Sequence, residues 1–160
     1  GAPLLAAMEE ATFTRDGELI IPASPQDTSL RNLAMEGFKP LIEGEYKGRR
    51  LTFVLDTGAS RSDLWPPFLR SFETEVKEQG SLRNELIRGA GSRREVKAYS
   101  LNSLEFRISG RKVRFHRIPV FMEYTTETSR YFHGNLGQDL IRQFRSMTIN
   151  FASMSVSFSE

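Results

Sequence analysis

A chain of 160 residues is long enough for one domain with a workable core, and 39% apolar with 26% charged residues excludes disorder as its default state. The net charge of +2, with acids interspersed among the arginines, argues against a nucleic-acid partner. The absence of cysteine excludes disulfides, zinc–thiolate sites and thiol catalysis, and leaves the compartment open.

No apolar run reaches the length of a membrane span. Pro3 to Met8 is too short for a signal peptide and lacks its basic start. Residues 1–11 read as a short helix or a frayed tail. Thr12–Thr14 and Leu19–Ile21 flank Arg15-Asp16-Gly17-Glu18, and an Asp-Gly between short strands signals a hairpin. Pro22 and Pro25 then break the chain, and Ser24 to Asn32 reads as loop. Residues 1–35 therefore form an extension, and residues 36–160 the main domain.

From Lys39 the strands become regular. Pro40–Tyr46 and Arg50–Leu55 pair through a turn at Lys47-Gly48, and the second strand ends in Asp56. An apolar run that delivers a carboxylate is unusual, because a buried acid must be satisfied in place or used there. Thr57 offers a local hydrogen bond, and Gly58 permits close approach of a ligand or a second chain. The prolines after Trp65 suit the first turn of a helix, so Pro67–Phe72 is expected to be a short one. Trp65 and Phe68 read as core residues.

Leu82–Arg88 and Arg93–Ser100 bracket Gly89-Ala90-Gly91-Ser92, which predicts a long hairpin with a glycine-rich tip. Leu104–Ile108 alternates, turns at Ser109-Gly110 and returns through Val113–His116. The cations Arg107, Arg111, Lys112, Arg114 and Arg117 lie opposite apolar residues on these strands, which makes them a solvated sheet face. Pro119 suggests an edge or a strand start. Thr125–Phe132 reads as a polar loop, Asp139–Phe144 as a short helix capped by Asp139, and Met147–Phe151 and Met154–Phe158 as closing strands. His116 and His133, without cysteines, do not make a metal site. No Gly-x-Ser-x-Gly elbow supports a serine triad. The sum is an all-β protein, a small closed barrel with one or two short helices.

Two stretches carry a resemblance. Leu55-Asp56-Thr57-Gly58-Ala59-Ser60 resembles the active-site signature of single-domain, retropepsin-like aspartic proteases of the bacterial type. Asn135-Leu136-Gly137-Gln138-Asp139-Leu140-Ile141, followed by Met147–Phe151, is similar to the apolar-Gly segment, short helix and terminal strand that close that fold. The resemblance runs from about Phe38 to Phe158. It implies an acid-protease barrel and an aspartic endopeptidase that needs no metal or cofactor. Its catalytic residue would be Asp56, supported by Thr57, Gly58 and Ala59. The hairpin tip Gly89, Ala90 and Gly91 would be a flap over an extended polypeptide substrate.

Aspartic proteolysis uses two carboxylates that share a proton, yet this chain has one Asp-Thr-Gly. Asp63 lacks the Thr-Gly, Asp139 stands where a helix cap belongs, and Asp16 reads as a turn. The dyad is therefore expected from a homodimer with its twofold axis between two Asp56 side chains. Retroviral members carry an acid at the position of Ser60 and an arginine at that of Gln138; both are missing here together, so neither is left unpaired. Bacterial proteins of this kind often carry a signal, so export to the periplasm, or membrane anchoring through an upstream segment, is the expected location. The rivals are a catalytically silent retropepsin fold that binds peptides or dimerises, and a basic barrel that binds nucleic acid.

Overall fold

The computed structural model describes residues 7–89 and 92–160. In chain order these form β1 (Glu10–Thr14), β2 (Leu19–Ile20), β3 (Leu33–Glu36), β4 (Lys39–Tyr46), β5 (Arg49–Leu55) and β6 (Asp63–Leu64). Helices α1 (Pro66–Ser71) and α2 (Glu73–Gln79) follow, then the long strands β7 (Gly80–Gly89), β8 (Ser92–Ile108) and β9 (Arg111–Phe121). The chain ends with β10 (Gly134–Leu136), α3 (Gln138–Ile141), β11 (Ser146–Asn150) and β12 (Ser155–Ser159).

The strands build two sheets. Eight lie in the order β3-β4-β5-β10-β6-β9-β8-β7, and a further contact of β4 with β8 bends this sheet back on itself. That closure is slight, resting on the pairs Gly44↔Ile108 and Glu45↔Arg107. A Cβ on Gly44 would lie 2.6 Å from Ile108 Cδ1 and 2.8 Å from Phe53, so only glycine lets the two strands meet. The other sheet has the order β12-β11-β1-β2 and joins the first strand of the chain to the last two. Partial ring closure with a separate four-stranded sheet replaces the closed barrel expected from pattern alone.

Between the layers lies an aromatic core. Phe53, Phe106 and Phe115 are almost completely buried, with centroids 5.5 Å apart for Phe53–Phe106 and 5.8 Å for Phe106–Phe115. Phe68 joins Phe106 at 5.9 Å from α1. Each such side chain contributes roughly 1.5–3 kcal/mol by burial, and edge-on ring pairs add about 0.5–1.5 kcal/mol. Pro66 and Pro67 open α1, where a missing N–H leaves no helical bond unmade.

The hairpins fall where the turns predict them. Lys47 and Gly48 have φ of 50° and 76°, and Ser109 and Gly110 have 48° and 78°, the mirror-image turn geometry that suits strand twist. Three differences stand out. The segments 93–100 and 104–108 are one continuous strand, β8. Pro119 stands inside β9 opposite Ser100, not at an edge or a start. The described residues hold three short α-helices rather than one or two, the additional one being α2. Only Val76 of α2 is buried, so no helical stripe marks it; Glu73 and Glu75 at its start and Lys77 near its end suit its dipole.

The basic cluster is a solvated face. Arg107, Arg111, Lys112, Arg114 and Arg117 are exposed, Lys112 and Arg114 pair with Glu105, and Arg111 pairs with Glu160.

Candidate active site

Asp56 follows directly on β5, whose Phe53, Val54 and Leu55 are buried, yet Asp56 itself is exposed. The backbone fixes this abrupt change. β10 runs parallel to β5 and pairs Leu136 with Leu55, and the Asp56 N–H donates to the Leu136 carbonyl at 2.9 Å. The chain then turns tightly. The Ala59 N–H donates to the Asp56 carbonyl at 3.1 Å, and the Gly58 N–H donates to Asp56 Oδ1 at 2.9 Å. One carboxylate oxygen is thereby oriented by a backbone donor, and the side chain still faces solvent.

The segment after β10 braces this turn from behind. The Gln138 N–H donates to the Ala59 carbonyl at 2.9 Å, and Gln138 Nε2 donates to the Thr57 carbonyl at 2.5 Å. The Gly137 N–H donates to Ser62 Oγ at 2.9 Å. A Cβ on Gly137 would stand 2.7 Å from the Ala59 carbonyl oxygen, so the two backbones touch only because the residue is glycine.

Asp139 does not cap α3. Gly137 occupies the N-cap position and makes no side-chain cap, while the Asp139 carboxylate accepts from the Ser62 hydroxyl and its backbone N–H. Cross-linking the loop satisfies more donors than a local cap would, which explains why the cap reading fails.

Asp56, Gly58 and Ala59 line a cleft of about 920 Å³. Phe38, Pro40, Val54, Trp65 and Phe121 supply apolar wall, and Glu85, Leu86 and Ile87 bring β7 against it. Arg61 reaches across to Glu85 at 2.7 Å and ties the loop to that hairpin. Thr57 stands on the same turn, between Asp56 and Gly58. Of the expected flap tip, Gly89 ends β7 and pairs with Ser92, whereas Ala90 and Gly91 lie outside the described residues.

The cleft also holds Asp63, an acid without the Thr-Gly that follows Asp56. Burial pushes its carboxyl up to about 7, against the opposing pull of the Trp65 indole N–H and of Arg61. The Asp-Leu-Trp spacing was the available signal, since alternation puts residues two apart on one side of a strand. His133 is structural: its Nδ1 accepts the Thr52 N–H at 3.1 Å, and burial lowers its pKa, so the ring stays neutral. No group of three or more His, Cys, Asp or Glu among the described residues is placed to hold a metal ion. No helix among them is long and apolar enough to cross a membrane.

Neither a scan against protein-family models nor a search of curated proteins returns a match to the chain.

Proposed function

We propose that the chain is an aspartic endopeptidase of retropepsin-like fold that works as a homodimer, with Asp56 as its catalytic residue. The observation that carries this reading is the exposed Asp56, oriented by the Gly58 N–H at the end of a buried strand on the wall of a cleft of about 920 Å³ lined by apolar and charged side chains. A second copy places a second Asp56 across a twofold axis. Two carboxylates at that separation share one proton, so their apparent pKa values belong to the pair. The ionised member takes a proton from water as the water attacks the peptide carbonyl, and the protonated member donates to the carbonyl oxygen. Thr57 and Ala59 hold the turn, and the β7–β8 hairpin covers an extended substrate whose backbone pairs like an added strand.

One observation favours a second reading, a domain that binds peptides without cleaving them. Strands β1, β11 and β12 complete a sheet within one chain, so the protomer needs no partner strand to finish it.

The deciding experiment follows cleavage of an unstructured protein across pH 3 to 7 by wild type and Asp56→Asn, with sedimentation at the same concentrations. Cleavage that rises with the dimer fraction and vanishes in the variant supports the protease. A dimer that cleaves nothing, or a monomer at all usable concentrations, supports the silent domain.

A further inference from the structure

The cleft beside Asp56 contains a carboxylate for which the proposed chemistry has no use. On β6, Leu64 is completely buried in the core, so strand alternation turns Asp63 and Trp65 to the other side, onto the cleft wall. The Trp65 indole N–H donates to Asp63 Oδ1, and the indole packs with Leu41, Val54, Val96 and Phe121. Asp63 has no ion-pair partner among the described residues, and the adjacent cation Arg61 is engaged by Glu85 at 2.7 Å. Charges acting on Asp63 come from Arg61 on the loop, Asp139 on α3 and Asp56 at the end of β5. The remaining charged groups on the cleft wall are Lys39, Glu85 and Glu127, so the wall bears two cations against four acids.

We propose that Asp63 is a specificity-determining residue that receives a lysine or arginine side chain of the polypeptide lying in the cleft, an inference that rests on reading this cleft as a substrate channel. The methylene stem of such a side chain suits the wall of Val54, Trp65 and Phe121, and its charged head completes the carboxylate, which otherwise has the indole alone. An apolar substrate side chain leaves that carboxylate desolvated and unpaired, which is where the discrimination arises.

Protonation sets a second condition. Asp63 titrates near 7, because burial outweighs the Trp65 N–H and Arg61. At pH 5 it is neutral and offers a cation little; at pH 8 it is ionised and pairs fully. Binding of a cation therefore releases a proton around neutrality, and the preference for lysine rises with pH.

Trp65 is the single tryptophan of the chain and touches the group in question, so its fluorescence reads the site directly. The test uses the Asp56→Asn protein, which separates binding from cleavage, and hexapeptides that carry lysine or its uncharged analogue norleucine at each position in turn. At one position lysine is expected to bind about tenfold more tightly at pH 8 and no better at pH 5, with the preference lost in Asp56→Asn/Asp63→Asn. Equal binding of the two series at pH 8, or a lysine preference that survives Asp63→Asn, overturns the assignment of Asp63 and leaves the protease reading intact. Failure to bind any peptide overturns both. Should the double variant not fold, the lysine-to-norleucine ratio between pH 5 and 8 decides with Asp63 in place, and a flat ratio overturns the assignment.

Discussion

The Asp139 carboxylate takes two hydrogen bonds from Ser62, one from the backbone N–H at 2.9 Å and one from the hydroxyl at 2.6 Å. Ser62 is almost fully buried, and its oxygen in turn accepts the Gly137 N–H. Three donors on two segments 75 residues or more apart in sequence thus depend on this pair. Asp139→Ala strands the Ser62 donors and is expected to cost about 2–3 kcal/mol, whereas Asp139→Asn, which keeps one acceptor, costs about 1 kcal/mol. Urea unfolding of both variants checks this. Equal and small losses would show that the link holds nothing.

Gln138 acts on the same turn more gently. Its side-chain donor meets the Thr57 carbonyl at 2.5 Å, next to Asp56, but that carbonyl also has access to water in a partly buried setting. Gln138→Ala is expected to lower stability by about 1 kcal/mol and, on the protease reading proposed above, kcat/KM by roughly tenfold, the larger effect reflecting a turn that no longer holds Asp56 in line. The loss should fall on kcat and leave KM near its original value. Steady-state kinetics on a single peptide substrate separates the two, and an unchanged kcat would remove Gln138 from the positioning of Asp56.

Asp63 makes stability depend on pH. Its carboxyl titrates at about 7 in the folded protein and near 3.8 when unfolded. Between those values the folded state holds the extra proton. Stability therefore falls as pH rises through this window, and the penalty is complete above pH 7. Asp63→Asn removes the titration while its amide oxygen still accepts the indole N–H. Discounted for partial exposure, the variant should be more stable than wild type by about 2 kcal/mol at pH 8 and similar near pH 4. Chemical unfolding at the two pH values measures the difference, and parallel curves would refute the linkage.

Local signals in the sequence account for the hairpins and for the position of Asp56. Leu104, Phe106 and Ile108 alternate with Glu105 and Arg107, and the first set is buried while the second is exposed. Lys47-Gly48 and Ser109-Gly110 declare their turns through residues that accept positive φ. What escaped was non-local. Nothing in Glu10–Thr14 announces that it pairs with Ser146–Asn150 at the other end of the chain, since strand pairing carries no signature in either strand alone. Asp139 read as a cap because its local context, an acid at the start of a short helix, is identical whether or not a distant Ser62 claims the carboxylate. Asp63 escaped for a related reason. Its significance lies in the walls around it, which Val54, Phe121 and β7 supply from elsewhere in the chain.

The same non-local pairing makes the role of residues 1–35 open to a direct test. Glu10 is almost fully buried, and its Oε2 accepts from Asn150 Nδ2 at 2.6 Å and from the Gln26 N–H at 2.8 Å. The Phe151 N–H donates to the Glu9 carbonyl at 2.6 Å. β1 lies between β2 and β11, so its loss uncovers an edge of the sheet that packs Met147 and Ile149 into the core. Removal of residues 1–8 spares all of these contacts and is expected to change stability by less than about 1 kcal/mol. Removal of residues 1–21 strips β1 and β2, takes the Glu10 carboxylate from the Asn150 amide and leaves it the Gln26 carbonyl alone, and should cost more than about 4 kcal/mol, enough to abolish cooperative unfolding in many domains. Glu10→Ala sets the scale between these extremes at about 2–3 kcal/mol. Thermal unfolding of the three proteins orders them. If the 21-residue deletion melts like the full chain, the N-terminal strands are an appendage that the fold can lose; if it fails to fold, β1 and β2 are part of the folded unit and any trimming must stop before both are removed.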